Sequence, residues 1–520
     1  MEPPPLPTRD GVRGDLPAPF ARSRLDECSP SFALTGDGPV VSCDAWGERR
    51  LAVPDGGGWR PVTPAGRWYR EPRWAGGTLL AHRDDDAGGR LEVLDARHGG
   101  TPLAPSRLGT VTGWDGVGVA RRSAGGEATA LGPDGDVVGV RRRVDGSGSL
   151  TWARVRLDLP ASVLVQDVSV ARDGRRMLVT TRGPHGVQAR CYDADGRLVG
   201  APLTEPVIGA GAWADSTRVA LTVSRWPAVW PYLWDTATGE LVRMTGATCG
   251  VCETVQANDS VLGHTWSSVD RPRHLRLGDP DHVTVAGGRE PVGVSTRILR
   301  GAAGPLPCVV QEPDGRARGT VVLFTDGPGG AQFASWSATV ESLCLAGWRV
   351  VRPNVRGNVL RDPGLDPGRP TTYGVQDVAD AATVLHSFGY DRLVVGGAGY
   401  GGYLAVRAAA ATCVDVDGVF LISGFFQFAD LWSSDDPCTR SFLQTPRVDA
   451  ALDDKPDPLR HYLVIHGERD VRAPLAAVRQ QLDRLPDAEL VAAPGVGHRL
   501  CADTGALAVG ARLFEWLDQL

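Results

Sequence analysis

Three short segments in the C-terminal quarter of the chain carry residue types that could do acyl-transfer chemistry, each directly after an apolar run. The first is Leu393-Val-Val-Gly-Gly-Ala-Gly-Tyr-Gly-Gly-Tyr-Leu404, a strand pattern that runs through glycines straight into a helical pattern. The second, Leu463-Val-Ile-His-Gly-Glu-Arg-Asp470, ends on an acid, and the third, Val491-Ala-Ala-Pro-Gly-Val-Gly-His498, ends on an imidazole. A strand, a sharp turn and a helix with small residues around the turn make a nucleophile elbow, G-x-S-x-G, whose central side chain attacks a carbonyl. An Asp and then a His further along the chain are the partners such a nucleophile needs. The His takes its proton, and the Asp orients the imidazole and stabilises its charged form. Here the five elbow residues are Gly397-Ala398-Gly399-Tyr400-Gly401, so the nucleophile position holds glycine.

Singly, Asp470 and His498 read equally well as loop residues; in order, each beyond an apolar strand, they read as triad positions. A dinucleotide-binding loop is the rival for the glycines. Against it, this turn follows several strands instead of the first, and no ribose-binding acid stands at the right distance. Cys501 and Cys438, the latter expected in a loop, lie outside the elbow and read as structural, as does His466 at a strand end. No histidines fall at metal-ligand spacing, and no cofactor is expected. Cys249-Gly-Val-Cys252 is a lone CxxC without a second pair, read as two thiols on a strand turn.

The elements around these segments alternate. Short apolar runs at Pro307–Gln311, Thr320–Thr325, Arg349–Pro353, Arg392–Gly396, Gly418–Ser423, His461–His466 and Glu489–Ala493 predict strands buried on both faces. Helical patterns at Val375–Ser387, Tyr400–Ala411, Leu475–Leu485 and Thr504–Leu520 lie between or after them, so residues 286–520 are expected to form a parallel, doubly wound α/β-hydrolase domain.

Residues 30–280 have another texture, of short strands separated by Asp/Gly turns. Asp173-Gly-Arg-Arg-Met-Leu-Val-Thr180 aligns with Asp215-Ser-Thr-Arg-Val-Ala-Leu-Thr222 at an offset of 42, and the same offset carries Tyr192-Asp193 onto Trp234-Asp235. Asp134-Gly135 begins an earlier copy, 39 residues before Asp173, and Asp95 marks another. A period near 40 with an aromatic-Asp turn predicts a β-propeller of six or seven blades over residues 1–285; a β-sandwich is the alternative. The polar stretch 279–293 is the connector.

The remaining composition narrows the function. The net charge is −6, and almost every cation is arginine with no basic block, which argues against nucleic acid. No apolar run reaches the roughly 18 residues of a membrane span. The opening MEPPPLPTRD lacks the pattern of a secretory signal, and ten scattered cysteines suit a reduced, cytoplasmic protein.

With the propeller pattern, the elbow, the H-G-x-x-D-x-x-x-P loop from His466 to Pro474 and the terminal Gly497-His498, nearly the whole chain resembles the prolyl oligopeptidase family, acylaminoacyl and dipeptidyl peptidases included. The resemblance implies a propeller capping the hydrolase site, with admission limited to peptides or other small molecules. It implies backbone N–H groups of Gly327 and Tyr400 as oxyanion donors, and Arg472 as a holder of substrate backbone. Two departures stand out: Gly399 in place of the serine, and Thr325-Asp326-Gly327-Pro328 where members of the family carry His-Gly-Gly-Pro. An inward-pointing Asp326 would oppose a developing oxyanion.

Three readings of function follow. The first is a peptide-binding pseudopeptidase, a scaffold or the partner subunit of another enzyme. The second is a non-hydrolytic enzyme that uses Asp470 and His498 as a general base on a peptide or natural product. The third is a serine-to-glycine knock-out of an active peptidase, which would leave the Thr325-Asp326 loop unexplained.

Overall fold

In a computed structural model, the chain divides into two compact units, one built mostly from residues 23–290 and the other mostly from residues 291–520. The structure describes residues 32–94, 120–279, 293–498 and 506–520, with short omissions inside these stretches.

The first unit is the propeller. Among the described residues it holds six antiparallel sheets, each a run of sequence-adjacent strands. The repeat read from the sequence maps onto equivalent strands of neighbouring blades. Arg176–Gly183 and Arg218–Arg225 are second strands, and Gly186–Asp193 and Ala228–Asp235 are third strands, each pair 42 residues apart. The aspartates recur because each closes a turn with its side chain. Asp193 accepts from the N–H groups of Asp195 and Arg197, Asp235 from Ala237 and Thr238, and Asp215 from Thr217 and Arg218. Such side-chain-to-backbone bonds favour Asp at turns over any apolar residue. First and last described sheets meet. Phe32 and Leu34 pack with Leu275, and Asn258 donates to the Thr35 carbonyl at 3.4 Å. Asp95 and Asp134 lie outside the described residues. Cys252 directly follows the isolated bridge residue Val251, and its buried thiol donates to the Thr254 carbonyl.

The second unit is an eight-stranded sheet: β1 (Val294–Arg300), β2 (Pro305–Gln311), β3 (Thr320–Phe324), β4 (Arg349–Pro353), β5 (Leu393–Ala398), β6 (Gly418–Ile422), β7 (Tyr462–Gly467) and β8 (Ala488–Ala493). Their spatial order is β1-β2-β4-β3-β5-β6-β7-β8; β1 and β2 pair antiparallel, as do β2 and β4, and the rest are parallel. Alternate residues feed two cores. Val322, Val351 and Val395 face one that includes α2 (Gln376–Phe388) and α3 (Tyr400–Ala411). Val321, Val350 and Val394 face another, with α1 (Ala338–Leu345) and the last helix, Ala506–Gln519. Burial on both faces is why these strands read as unbroken apolar runs. Strand β1 departs from that pattern: it is a largely exposed edge, with Ile298 57% accessible, and the sequence carried no apolar run to mark it. Cys438 lies in helix α4 (Pro437–Leu443), not in the expected loop; Asp436 caps that helix and Pro437 opens it.

Candidate active site

Strand β5 ends at Ala398 and α3 begins at Tyr400, so Gly399 alone makes the turn, with φ +51° and ψ −119°. This is a conformation that L side chains rarely adopt, and glycine holds it without strain. The small neighbours are demanded by contact. A Cβ on Gly401 would stand 2.4 Å from the Phe324 carbonyl oxygen, and one on Gly397 2.4 Å from the Gly401 backbone. The elbow is therefore present in its geometry and lacks only its side chain.

Asp470 and His498 meet where the sequence order places them. Beyond β7, the Asp470 carboxylate accepts from the backbone N–H groups of Arg472 and Ala473 at 2.9 and 3.0 Å. Its Oδ2 lies 2.8 Å from Nδ1 of His498, in the loop after β8. His466 is wholly buried behind it, with Nε2 2.7 Å from the Ala473 carbonyl and 3.3 Å from Asp470 Oδ2. Burial alone would raise the Asp470 pKa, but the charge of His498 and bonds from both histidines hold it well below the usual carboxylate range.

Asp326, in the loop directly after β3, points inward. Its Oδ1 accepts from Gly327 N at 2.8 Å and from Tyr400 N at 3.3 Å, the two N–H groups expected to form an oxyanion hole. A Cβ on Gly399 would lie 2.0 Å from that same oxygen and 3.2 Å from His498 Nε2. Asp326 Oδ2 stands 3.8 Å from His498 Nε2, and the side chain keeps 46% of its surface accessible. A carboxylate thus fills the hole, and no nucleophile side chain fits beside it unless it moves. The imidazole lies between two acids. Burial disfavours its charged form, but the charge of Asp470 and the proximity of Asp326 outweigh that and lift its pKa to about 9. Burial likewise works against ionised Asp326, and His498, Arg472 and the Gly327 N–H more than compensate, leaving its pKa below the ordinary value.

Tyr400 contributes more than its N–H. Its hydroxyl donates to Asp377 Oδ2 at 2.5 Å, and its ring packs with Tyr373, Tyr403, Phe425, Phe428 and Phe442. Asp377, buried at the start of α2, is pushed up to about 6 by desolvation, partly offset by that bond. This support of the elbow helix escapes sequence reading because Asp377 lies 23 residues from Tyr400 and belongs to no motif. Arg472 leans toward Asp436, Nε to Oδ2 at 3.7 Å. Among the described residues, the buried Ser423 hydroxyl, beyond β6, has no hydrogen-bond partner and so no base to activate it; Cys501 lies outside the described residues. Among the described residues no group of three or more His, Cys, Asp and Glu could hold a metal, and no helix is long and apolar enough to cross a membrane.

No family model and no curated protein matches the sequence. Solved structures do. An acylaminoacyl peptidase of Pyrococcus horikoshii superposes with a TM-score of 0.61 at 15% identity, over 94% of this chain and 87% of that one. A puromycin-hydrolyzing peptidase of Mycobacterium tuberculosis gives 0.59 at 17%, over 97% and 95%. A prolyl endopeptidase gives 0.63 at 14%, over 94% and 81%. At these identities the likeness shows the fold, that of the prolyl oligopeptidases: an N-terminal propeller followed by an α/β-hydrolase unit.

Proposed function

We propose that a chain with this fold and this site is a peptide-binding pseudopeptidase, serving as a scaffold or as the partner of another enzyme. The observation that carries the reading is Asp326. Its carboxylate takes both N–H groups that would stabilise an oxyanion and lies where a serine at position 399 would extend. Transition-state charge on a carbonyl oxygen would meet an anion instead of donors. The fold neighbours are named for peptides or for puromycin, which favours a peptide-like ligand. The test is binding of a panel of short peptides by the full chain, together with assays for their cleavage. Affinity without cleavage is the expected result; cleavage by the wild type that is lost in Asp470→Asn and in His498→Ala, and so is no contaminant, would overturn it.

The intact 2.8 Å contact between Asp470 and His498 favours a second reading, a non-hydrolytic enzyme with that dyad as general base. A product that depends on His498 while binding does not would favour it. The knock-out reading is answered by the codon at position 399 in the native gene. Against it stands the Thr325-Asp326 loop, which a substitution at position 399 alone leaves unexplained.

A further inference from the structure

Carboxylates at a reactive centre are themselves nucleophiles when one oxygen is held and the other is free. Asp326 is so arranged. Oδ1 is fixed by the N–H groups of Gly327 and Tyr400, Oδ2 is turned toward His498 Nε2 at 3.8 Å, and about half of the side chain is open to solvent. We propose that Asp326 is a displaced nucleophile, delivered from the β3 loop into the slot that Gly399 vacates, and that its substrates are electrophilic sp3 carbons bearing an anionic leaving group. This goes beyond peptide binding and does not depend on it.

The substrate class follows from the hole. Attack on an acyl carbon would need donors for a second oxyanion, and both donors are taken. Displacement at an sp3 carbon needs none. In the first step Oδ2 forms a bond to that carbon as the bond to the leaving group breaks, giving an alkyl ester of Asp326 and a free anion such as halide or sulfonate. In the second step His498 removes a proton from water as its oxygen adds to the Asp326 carboxyl carbon. The negative charge then falls on Oδ1, which already sits between the two N–H donors. Collapse breaks the bond from the carboxyl carbon to the alkoxy oxygen, His498 returns its proton to the departing alcohol, and the new carboxylic acid loses its proton to solvent. One carboxylate oxygen now comes from water. The charges order the steps: while Asp326 is ionised, His498 is held protonated, and esterification removes one of the two charges that hold it so.

The probes are methyl 4-nitrobenzenesulfonate and 4-nitrophenacyl bromide with the full chain. His498→Ala should trap the ester, slowing its hydrolysis by about 10²–10⁴-fold, and peptide mapping should place one adduct on Asp326. Asp326→Asn, nearly isosteric and checked for folding by its melting temperature, should lose that adduct. Wild-type enzyme in excess over probe in ¹⁸O water should return one ¹⁸O to Asp326. Adducts confined to cysteines such as the exposed Cys413, labelling unchanged in Asp326→Asn, or no reaction at all would each overturn the proposal. Peptide affinity, measured on the same samples, reports separately on the binding role.

Discussion

At the scale of single residues, the site is an imidazole held between two acids. His498 has a pKa of about 9 in the folded chain, against about 6.5 when unfolded. A group whose pKa is raised by folding contributes stability that is complete below the unfolded value and is lost as pH rises through the folded one. The melting temperature of wild type should therefore exceed that of His498→Asn most at pH 6, with the gap closing between about pH 6.5 and 9. A gap constant from pH 6 to 10 would contradict the assignment. Asp326→Asn should also bring the His498 titration, followed by imidazole NMR, to a lower pH, because Asp326 supplies part of the upward shift; an unmoved titration would mean that the 3.8 Å approach has no electrostatic consequence.

At the scale of elements, the elbow is a packing problem solved with glycine. Gly401→Ala would press a methyl against the carbonyl oxygens of Phe324 and Thr325, at 2.4 and 2.6 Å, where backbone on both sides cannot retreat. Overpacking of this kind costs about 1–3 kcal/mol, read as a lowered denaturation midpoint with unchanged slope; an unshifted midpoint would contradict the packing. The elements that the sequence made legible are those buried on both faces, such as β4 and α3, whose bounds follow from apolar runs and from the glycine turn. Strand β1 was not legible, since an exposed edge carries no hydrophobic signal. Helix α1 was missed because Ser337, which caps it, opens a short helix of mixed character. Within the site, Gly399, Asp470 and His498 were legible from order and context. The inward turn of Asp326 was posed as a question by its type and position, and only the fold answers it. The hold of Asp377 on Tyr400 had no signal at all.

At the scale of the whole molecule, the aspartate turns of the propeller, repeating at 42 residues, mark a fold built from units that cannot bury their faces alone. If the family resemblance extends to substrate admission, a short peptide should bind where the same sequence displayed in a folded carrier protein does not. Equal affinity for both would remove any role of the propeller in selecting ligands. The fold, shared with peptidases at 14–17% identity, hosts a site in which the carboxylate of one loop stands in the place of another element's side chain.

The most direct measurement of that substitution is fluorophosphonate labelling of the full chain as wild type, Gly399→Ser and Gly399→Ser with Asp326→Gly. Loss of one oxyanion donor typically costs about 10²–10³-fold in rate, and here both are occupied. Wild type should not label, Gly399→Ser should label slowly, and the double variant should label stoichiometrically and at least about 10²-fold faster. Labelling of wild type, or a single variant as fast as the double, would contradict the claim that Asp326 occupies the catalytic slot.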